Sequence, residues 1–147
     1  MKILIDADGC PVTKIACEVA LKHKIECKVI CDTAHIIKID GIETLTVSKG
    51  TDSVDFYLVN MLNAGDIAIT QDYGLAAMCL SKKASVINQD GIIFDDSNIL
   101  SLLNNRHTSK KLRMQGIRLK GPSKRDKLKD MIFKEKLEFL IEKKADM

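Results

Sequence analysis

The chain has 147 residues, an apolar content of 46% and a net charge of +3. That length suits one domain with a substantial core, and no apolar run approaches the ~20 residues of a membrane span. The five cysteines are odd in number and form no C-x-x-C pair, which argues against a disulfide framework or a zinc ribbon.

Lys2 to Asp6 reads as a buried strand, with Ile3, Leu4 and Ile5 in a row. Pro11 suits the first turn of a helix, and Val12, Ile15, Ala16 and Val19 carry it at helical spacing to about Lys22. Cys27 to Cys31 is a second strand, on which Cys27 and Cys31 share a face as small buried hydrophobes. Asp32 to His35 forms the loop at its carboxyl end. Glu43 to Val47 is a weaker third strand.

Asp52 reads as the N-cap of a helix with Val54, Tyr57, Leu58 and Met61 on its apolar face, ending near Asn63-Ala64-Gly65. Ile67 to Thr70 is the fourth strand. Asp72 opens a short helix carrying Leu75, Ala76, Met78 and Cys79. Ser85 to Asn88 is the fifth strand, closed by the turn Gln89-Asp90-Gly91. Asp96 or Ser97 caps a helix with Ile99, Leu100, Leu102 and Leu103.

Residues 106–122 read as an irregular basic connection. Ser123 then caps a final helix from about Lys124 to Lys144, with Leu128, Ile132, Phe133, Leu137, Leu140 and Ile141 on one face. Strand and helix alternate, which predicts an α/β fold: a mostly parallel, doubly wound sheet of about five strands, helices on both faces and a C-terminal helix. The whole chain, 1–147, is expected to be one domain. Its charge is uneven: residues 1–105 hold 9 Lys and Arg against 14 Asp and Glu, and residues 106–147 hold 14 against 6. An acidic body with a basic C-terminal region suits a protein that handles a polyanion.

Five aspartates stand where strands end or the next helix begins: Asp6, Asp8, Asp52, Asp55 and Asp72. Ligands of open α/β sheets bind beyond the carboxyl ends of parallel strands, at the point where strand order reverses. If the first and fourth strands are neighbours, the five acids share that crevice. They would repel one another unless a hard cation lies between them, so Mg²⁺ or Mn²⁺ is the expected cofactor. Asp6, Asp8, Asp55 and Asp72 are its candidate ligands, with a metal-activated water attacking a phosphodiester. Each acid also has a structural reading, as a turn signal (Asp8-Gly9) or a helix cap (Asp52, Asp72). Asp66 precedes its strand and belongs at the opposite edge.

For substrate contact the candidates are His35 after the second strand, Ser48 and Lys49 before the acidic helix, and Lys110, Lys111, Lys124 and Arg125 in the basic region. Arg106 and Arg113 extend that region, while His23 and His107 read as surface residues. No aromatic residues are interleaved among the basic ones, so base stacking is not expected there. No Walker sequence or G-x-G-x-x-G occurs, so no nucleotide cofactor is expected.

The segments Ile5-Asp6-Ala7-Asp8-Gly9-Cys10-Pro11, Gly50-Thr51-Asp52-Ser53-Val54-Asp55, Asp66-Ile67-Ala68-Ile69-Thr70-Gln71-Asp72, Leu75-Ala76-Ala77 and Gly121-Pro122-Ser123-Lys124-Arg125-Asp126 resemble, in order and spacing, the YaiI/YqxD family of bacterial proteins. That family is grouped with PIN-like domains, metal-dependent nucleases with an acidic cluster at the strand ends. The resemblance implies that Asp6 matches the acid after the first strand, Asp52 or Asp55 the mid-chain helical acid, and Asp72 the acid after the fourth strand.

The leading expectation is a Mg²⁺- or Mn²⁺-dependent nuclease, RNA favoured over DNA, in the cytoplasm, off the membrane, with a homodimer through the last helix compatible with the pattern. A second reading takes D-x-D-G as a haloacid dehalogenase-type phosphatase, with Asp6 the nucleophile and Asp8 the acid/base. Against it, Cys10-Pro11 replaces the usual hydroxyl residue. A third reading is a non-catalytic RNA-binding module that depends on the basic region alone.

Overall fold

The computed structural model describes residues 1–32, 38–47, 53–104 and 125–145. In chain order the elements are β1 (Lys2–Asp6), α1 (Thr13–Lys22), β2 (Glu26–Asp32), β3 (Glu43–Val47), α2 (Ser53–Met61), β4 (Ile67–Ile69), α3 (Tyr73–Ser81), β5 (Ser85–Ile87), β6 (Ile93–Phe94), α4 (96–104) and α5 (Lys127–Ala145). The sheet runs β3-β2-β1-β4-β5-β6. Strands β1 to β5 are parallel and β6 pairs antiparallel with β5.

A parallel sheet covered on both faces needs apolar residues at every strand position. The central strands β1, β4 and β5 obey this, their alternate residues facing opposite layers. Ile3, Ile5, Cys27, Val29, Cys31, Ile67, Ile69 and Ile87 fill one core with α1 and with Phe133, Leu137, Leu140 and Ile141 of α5. Leu4, Ile30, Ala68 and Val86 fill the other, against Leu58 and Leu62, Leu75, Ala76 and Cys79 of α3, and Ile99 of α4. The expected shared face of Cys27 and Cys31 is therefore observed, and all five cysteines are free thiols.

The expected strand and helix alternation holds, with five differences. Strand β6 was not anticipated: the Gln89-Asp90-Gly91 turn leads into a short return strand rather than closing the sheet. Asn88 organises this turn, its Oδ1 accepting from the backbone N–H of Asp90 and Ile92, each at 2.9 Å. Helix α4 is capped by Asp95, not Asp96 or Ser97: Asp95 Oδ1 accepts from the N–H of Ser97 and Asn98. Helix α5 starts at Lys127, three residues later than expected, with Asp126 Oδ1 accepting from Lys129 N. Its buried face is also narrower, because Leu128 is 61% exposed and Ile132 lies at the boundary. Tyr57, expected on the apolar face of α2, is likewise exposed.

Helix α5 is tied down at both ends. Near its start the Arg125 guanidinium donates to Asp90 Oδ1 (2.9 Å), to the Gln89 carbonyl (2.6 Å) and to Asp130 Oδ1 (2.7 Å). Near its end Lys144 Nζ donates to the Gly65 carbonyl. Between them Glu138 faces Lys22 and His23 of the α1 terminus, so His23 is half-buried rather than on the open surface. Gly91 lets the β5–β6 turn close on the first half of α5: a Cβ there would stand 2.9 Å from Ile132 Cγ2. Among the described residues, no helix is long and apolar enough to cross a membrane.

Candidate functional site

Strand order reverses between β1 and β4, which are neighbours although β2 and β3 intervene in sequence. The crevice beyond their carboxyl ends is the switch point at which open α/β sheets bind ligands. Asp6 is the last residue of β1 and is buried. Thr70 follows the last residue of β4, and its hydroxyl donates to Asp6 Oδ2 at 2.8 Å. The other oxygen of Asp6 accepts no hydrogen bond among the described residues.

The donor polarity at Thr70 is fixed by a neighbour. The Asp72 N–H, which can only donate, points at Thr70 Oγ1 at 3.1 Å. The hydroxyl proton is therefore directed at Asp6. Asp72 in turn is the N-cap of α3, its Oδ1 accepting from Leu75 N at 3.1 Å. A hydrogen-bond chain thus runs from the first turn of α3 through Asp72 and Thr70 to Asp6. Gly74 keeps the cap uncrowded, since a Cβ there would meet Asp72 Oδ1 at 3.2 Å.

Asp8 lies in the turn after β1, with both carboxylate oxygens 3.3 Å from the backbone N of Asp32 at the end of β2. Gln71 straps the same turn from the β4 side, donating to the carbonyls of Asp8 (3.3 Å) and Gly9 (3.0 Å). Gly9 sits at φ +71°, and a Cβ there would press on Gln71 Nε2 at 3.0 Å. Only glycine adopts this conformation freely. Asp55 stands in the first turn of α2, half-buried.

Burial pushes the Asp6 carboxyl up to about 6, the Thr70 hydrogen bond opposes the rise, and repulsion from Asp55, Asp8 and Asp72 adds to it. The four acids therefore share one electrostatic neighbourhood. Cys79, on the inner face of α3, feels the same field: burial first, then Asp55 and Asp6, push its thiol up to about 12. Asp66 lies at the other end of β4, as expected, with Lys2 Nζ at 2.6 Å from Oδ2. Burial would raise its pKa, but hydrogen bonds from the Lys2 side chain and from the backbone of Asn63 and Lys2 outweigh that and hold it low.

Of the residues singled out from sequence, the structure brings Asp6, Asp8, Asp55 and Asp72 to one edge. Asp52, His35, Ser48, Lys49, Lys110, Lys111 and Lys124 lie outside the described residues, as do Arg106, Arg113 and His107. Arg125 is described, and its guanidinium clamps the start of α5. Thr70 and Gln71 were not anticipated as site residues. Their signal was available: Thr70 follows the fourth strand in step with Asp6, and it is a hydroxyl where Ile67, Ala68 and Ile69 are apolar.

Among the described residues, no three His, Cys, Asp or Glu side chains form a ready cage for an ion. The donor set is nonetheless all hard oxygen. Mg²⁺ takes only one or two direct carboxylates and keeps several waters. The residues present fit such a water-rich ion, not an all-protein cage of the calcium or zinc kind.

The family model described as "Uncharacterized BCR, YaiI/YqxD family" matches residues 4–143. A UPF0178 protein of Exiguobacterium sibiricum is 44% identical over 146 residues, covering 99% of this chain and 100% of the relative. A UPF0178 protein of Ruminiclostridium cellulolyticum is 46% identical over 147 residues, covering 99% of this chain and 95% of the relative. One from Clostridium perfringens is 46% identical over 143 residues, covering 97% and 96%. No solved structure matches the chain. The chain belongs to the YaiI/YqxD family.

Proposed function

We propose that this YaiI/YqxD family member is a Mg²⁺- or Mn²⁺-dependent phosphodiester hydrolase of PIN-like type, with RNA as the favoured substrate. The observation that carries this reading is the placement of Asp6. It is a carboxylate at the β1–β4 switch point, raised to about 6 chiefly by burial and further by three neighbouring aspartates. A titratable group in a crevice whose pKa is shifted by burial together with specific charged neighbours is a functional-site candidate.

Each residue has a part in this scheme. Asp6 would hold the cation, its Oδ2 fixed by the Thr70 hydroxyl so that the carboxylate has one orientation. Asp72 and Asp55 orient water at the crevice, and the capping bond of Asp72 sets its rotamer. Asp8, tied to Asp32 N, holds the β1–α1 turn at the rim. The cation, when bound, stabilises charge on the phosphoryl oxygens and lowers the pKa of the attacking water. Hydrolysis joins the water oxygen to phosphorus, breaks the bond to the leaving oxygen and gives that oxygen a proton. Asp52, Ser48, Lys49 and His35, which lie outside the described residues, stand as further proposed contributors, and Lys110, Lys111 and Lys124 as proposed contacts to the polymer backbone.

The phosphatase reading is less well supported. It needs Asp8 as a mobile acid/base, whereas both Asp8 oxygens lie against the Asp32 N–H. The decisive experiment is hydrolysis of single-stranded RNA with Mn²⁺, paired with Mn²⁺ titration calorimetry. Wild type should cleave and bind, and Asp6→Asn and Asp72→Asn should lose both. Cleavage that is unchanged in both variants would sink the mechanism.

A further inference from the structure

A second feature lies on the same edge, on the other side of the β1–α1 turn. Cys10, Pro11, Thr13, Lys14, Lys38 and Ile39 line a cavity of about 550 Å³. That is within the usual range for a small-molecule site. Among the described residues its lining includes two lysines and no carboxylate. Neither Lys14 nor Lys38 makes an ion pair among the described residues, and both are exposed. Residues 1–105 carry a net charge of −5, so an unpaired pair of cations beside an acidic crevice is an exception to its surroundings.

We propose that this cavity is a subsite for a neighbouring nucleotide of the substrate chain, with Lys14 and Lys38 holding its phosphate and Pro11 and Ile39 covering the face of its sugar or base. The inference rests on the nuclease reading and adds a binding element to it. Its chemistry follows from the lining. Ammonium groups recognise phosphate oxygens as point charges, and a small apolar wall suits a ring. The Thr13 hydroxyl is committed to the Cys10 carbonyl at 3.3 Å, so it shapes the turn and is not counted as a ligand.

Position favours a polymer over a free nucleotide. Cys10 is four residues from Asp6, which limits their separation to about 14 Å. One strand can therefore span from Asp6 to the cavity. The arrangement also offsets a difficulty of the acidic crevice, which on its own repels a polyanion. Two cations at its margin supply the attraction that brings the strand in.

The test measures binding of a short single-stranded RNA to the whole chain by fluorescence anisotropy in EDTA, where no hydrolysis occurs. Three proteins are compared: wild type, Lys14→Glu/Lys38→Glu, and Lys134→Glu/Lys136→Glu, which changes net charge equally on the exposed side of α5. The cavity pair should weaken binding roughly tenfold or more and flatten the salt dependence by about 1.4 in log–log slope, while the α5 pair does neither. A Lys14→Gln/Lys38→Gln variant with the wild-type melting temperature should show the same loss, which removes misfolding as a cause. Equal effects of the cavity and α5 pairs, or no effect of either, would overturn the subsite. So would absence of RNA binding by wild type. Mn²⁺-dependent cleavage by the cavity variant, still abolished by Asp6→Asn, separates the two readings: with unchanged binding it removes the subsite and leaves the hydrolase.

Discussion

Thr70 Oγ1 donates to Asp6 Oδ2 at 2.8 Å across the β1–β4 pair, one step beyond the last registered partners, Ile5 and Ile69. This bond joins residues 64 apart in sequence at the one place where the sheet reverses its strand order. It also opposes the burial that pushes Asp6 towards its neutral form.

Thr70→Val removes that donor and the acceptor for Asp72 N–H while keeping the side-chain shape. Urea unfolding in EDTA at pH 8 should show a loss of about 1.5–3 kcal/mol, the range for a hydrogen bond to a charged group. Thr70→Ser should lie within about 0.5 kcal/mol of wild type. At pH 4, where Asp6 is protonated, the Val variant should regain part of its deficit.

Asp6 has a folded pKa of about 6 against 3.8 for an ordinary aspartate. The folded state therefore binds this proton more tightly than the unfolded state. Its contribution is full below about pH 4 and is lost as pH rises through 6, to a total of about 3 kcal/mol. Asp6→Asn, whose amide oxygen still accepts from Thr70, should abolish that slope and be more stable than wild type at pH 7.5 without metal. Denaturant melts across pH 4 to 8 check this. Activity should move the other way, to none.

Asp72 does two jobs that substitution can separate. Asn is as good an N-cap as Asp, so Asp72→Asn should leave α3 intact and stability within about 0.5 kcal/mol, whereas Asp72→Ala should lose about 1 kcal/mol. Both should lose Mn²⁺-dependent hydrolysis. Circular dichroism melts beside the cleavage assay would show whether charge or capping matters for activity.

Asp66 and Lys2 form the control at the far end of the strands. A depressed carboxyl contributes stability above its unfolded pKa and loses it as pH falls through the folded value. Asp66→Asn should therefore destabilise at pH 7, by about 2 kcal/mol, and the deficit should shrink below about pH 4. Hydrolysis per folded molecule should be unchanged.

Much of the sheet was legible because its strands are short continuous apolar runs between turn signals, and alternation with helices implies parallel order. The carboxyl-edge location of Asp6, Asp8, Asp55 and Asp72 followed from that order. Strand β6 escaped because Ile93–Phe94 has two residues, too few for any periodicity, and is specified instead by the Asn88 turn. The helix caps shifted because Asp95, Asp96 and Ser97 are all good cap residues and only packing selects among them. Leu128 was misplaced for a related reason: helical spacing fixes which residues align, but the depth of docking onto the sheet decides how wide a stripe is buried. Thr70 was read as one more β-branched strand residue, since its role depends on a partner 64 positions away.

One sheet face is roofed by α1 and α5, whose residues come from opposite ends of the described chain. Until Phe133, Leu137, Leu140 and Ile141 have left the ribosome, Ile69 and Ile87 lack part of their cover. The nascent chain is thus a half-roofed sheet for as long as residues 105–141 take to emerge. A trapped, truncated chain should be a ready client for chaperones that grip exposed isoleucine-rich strands.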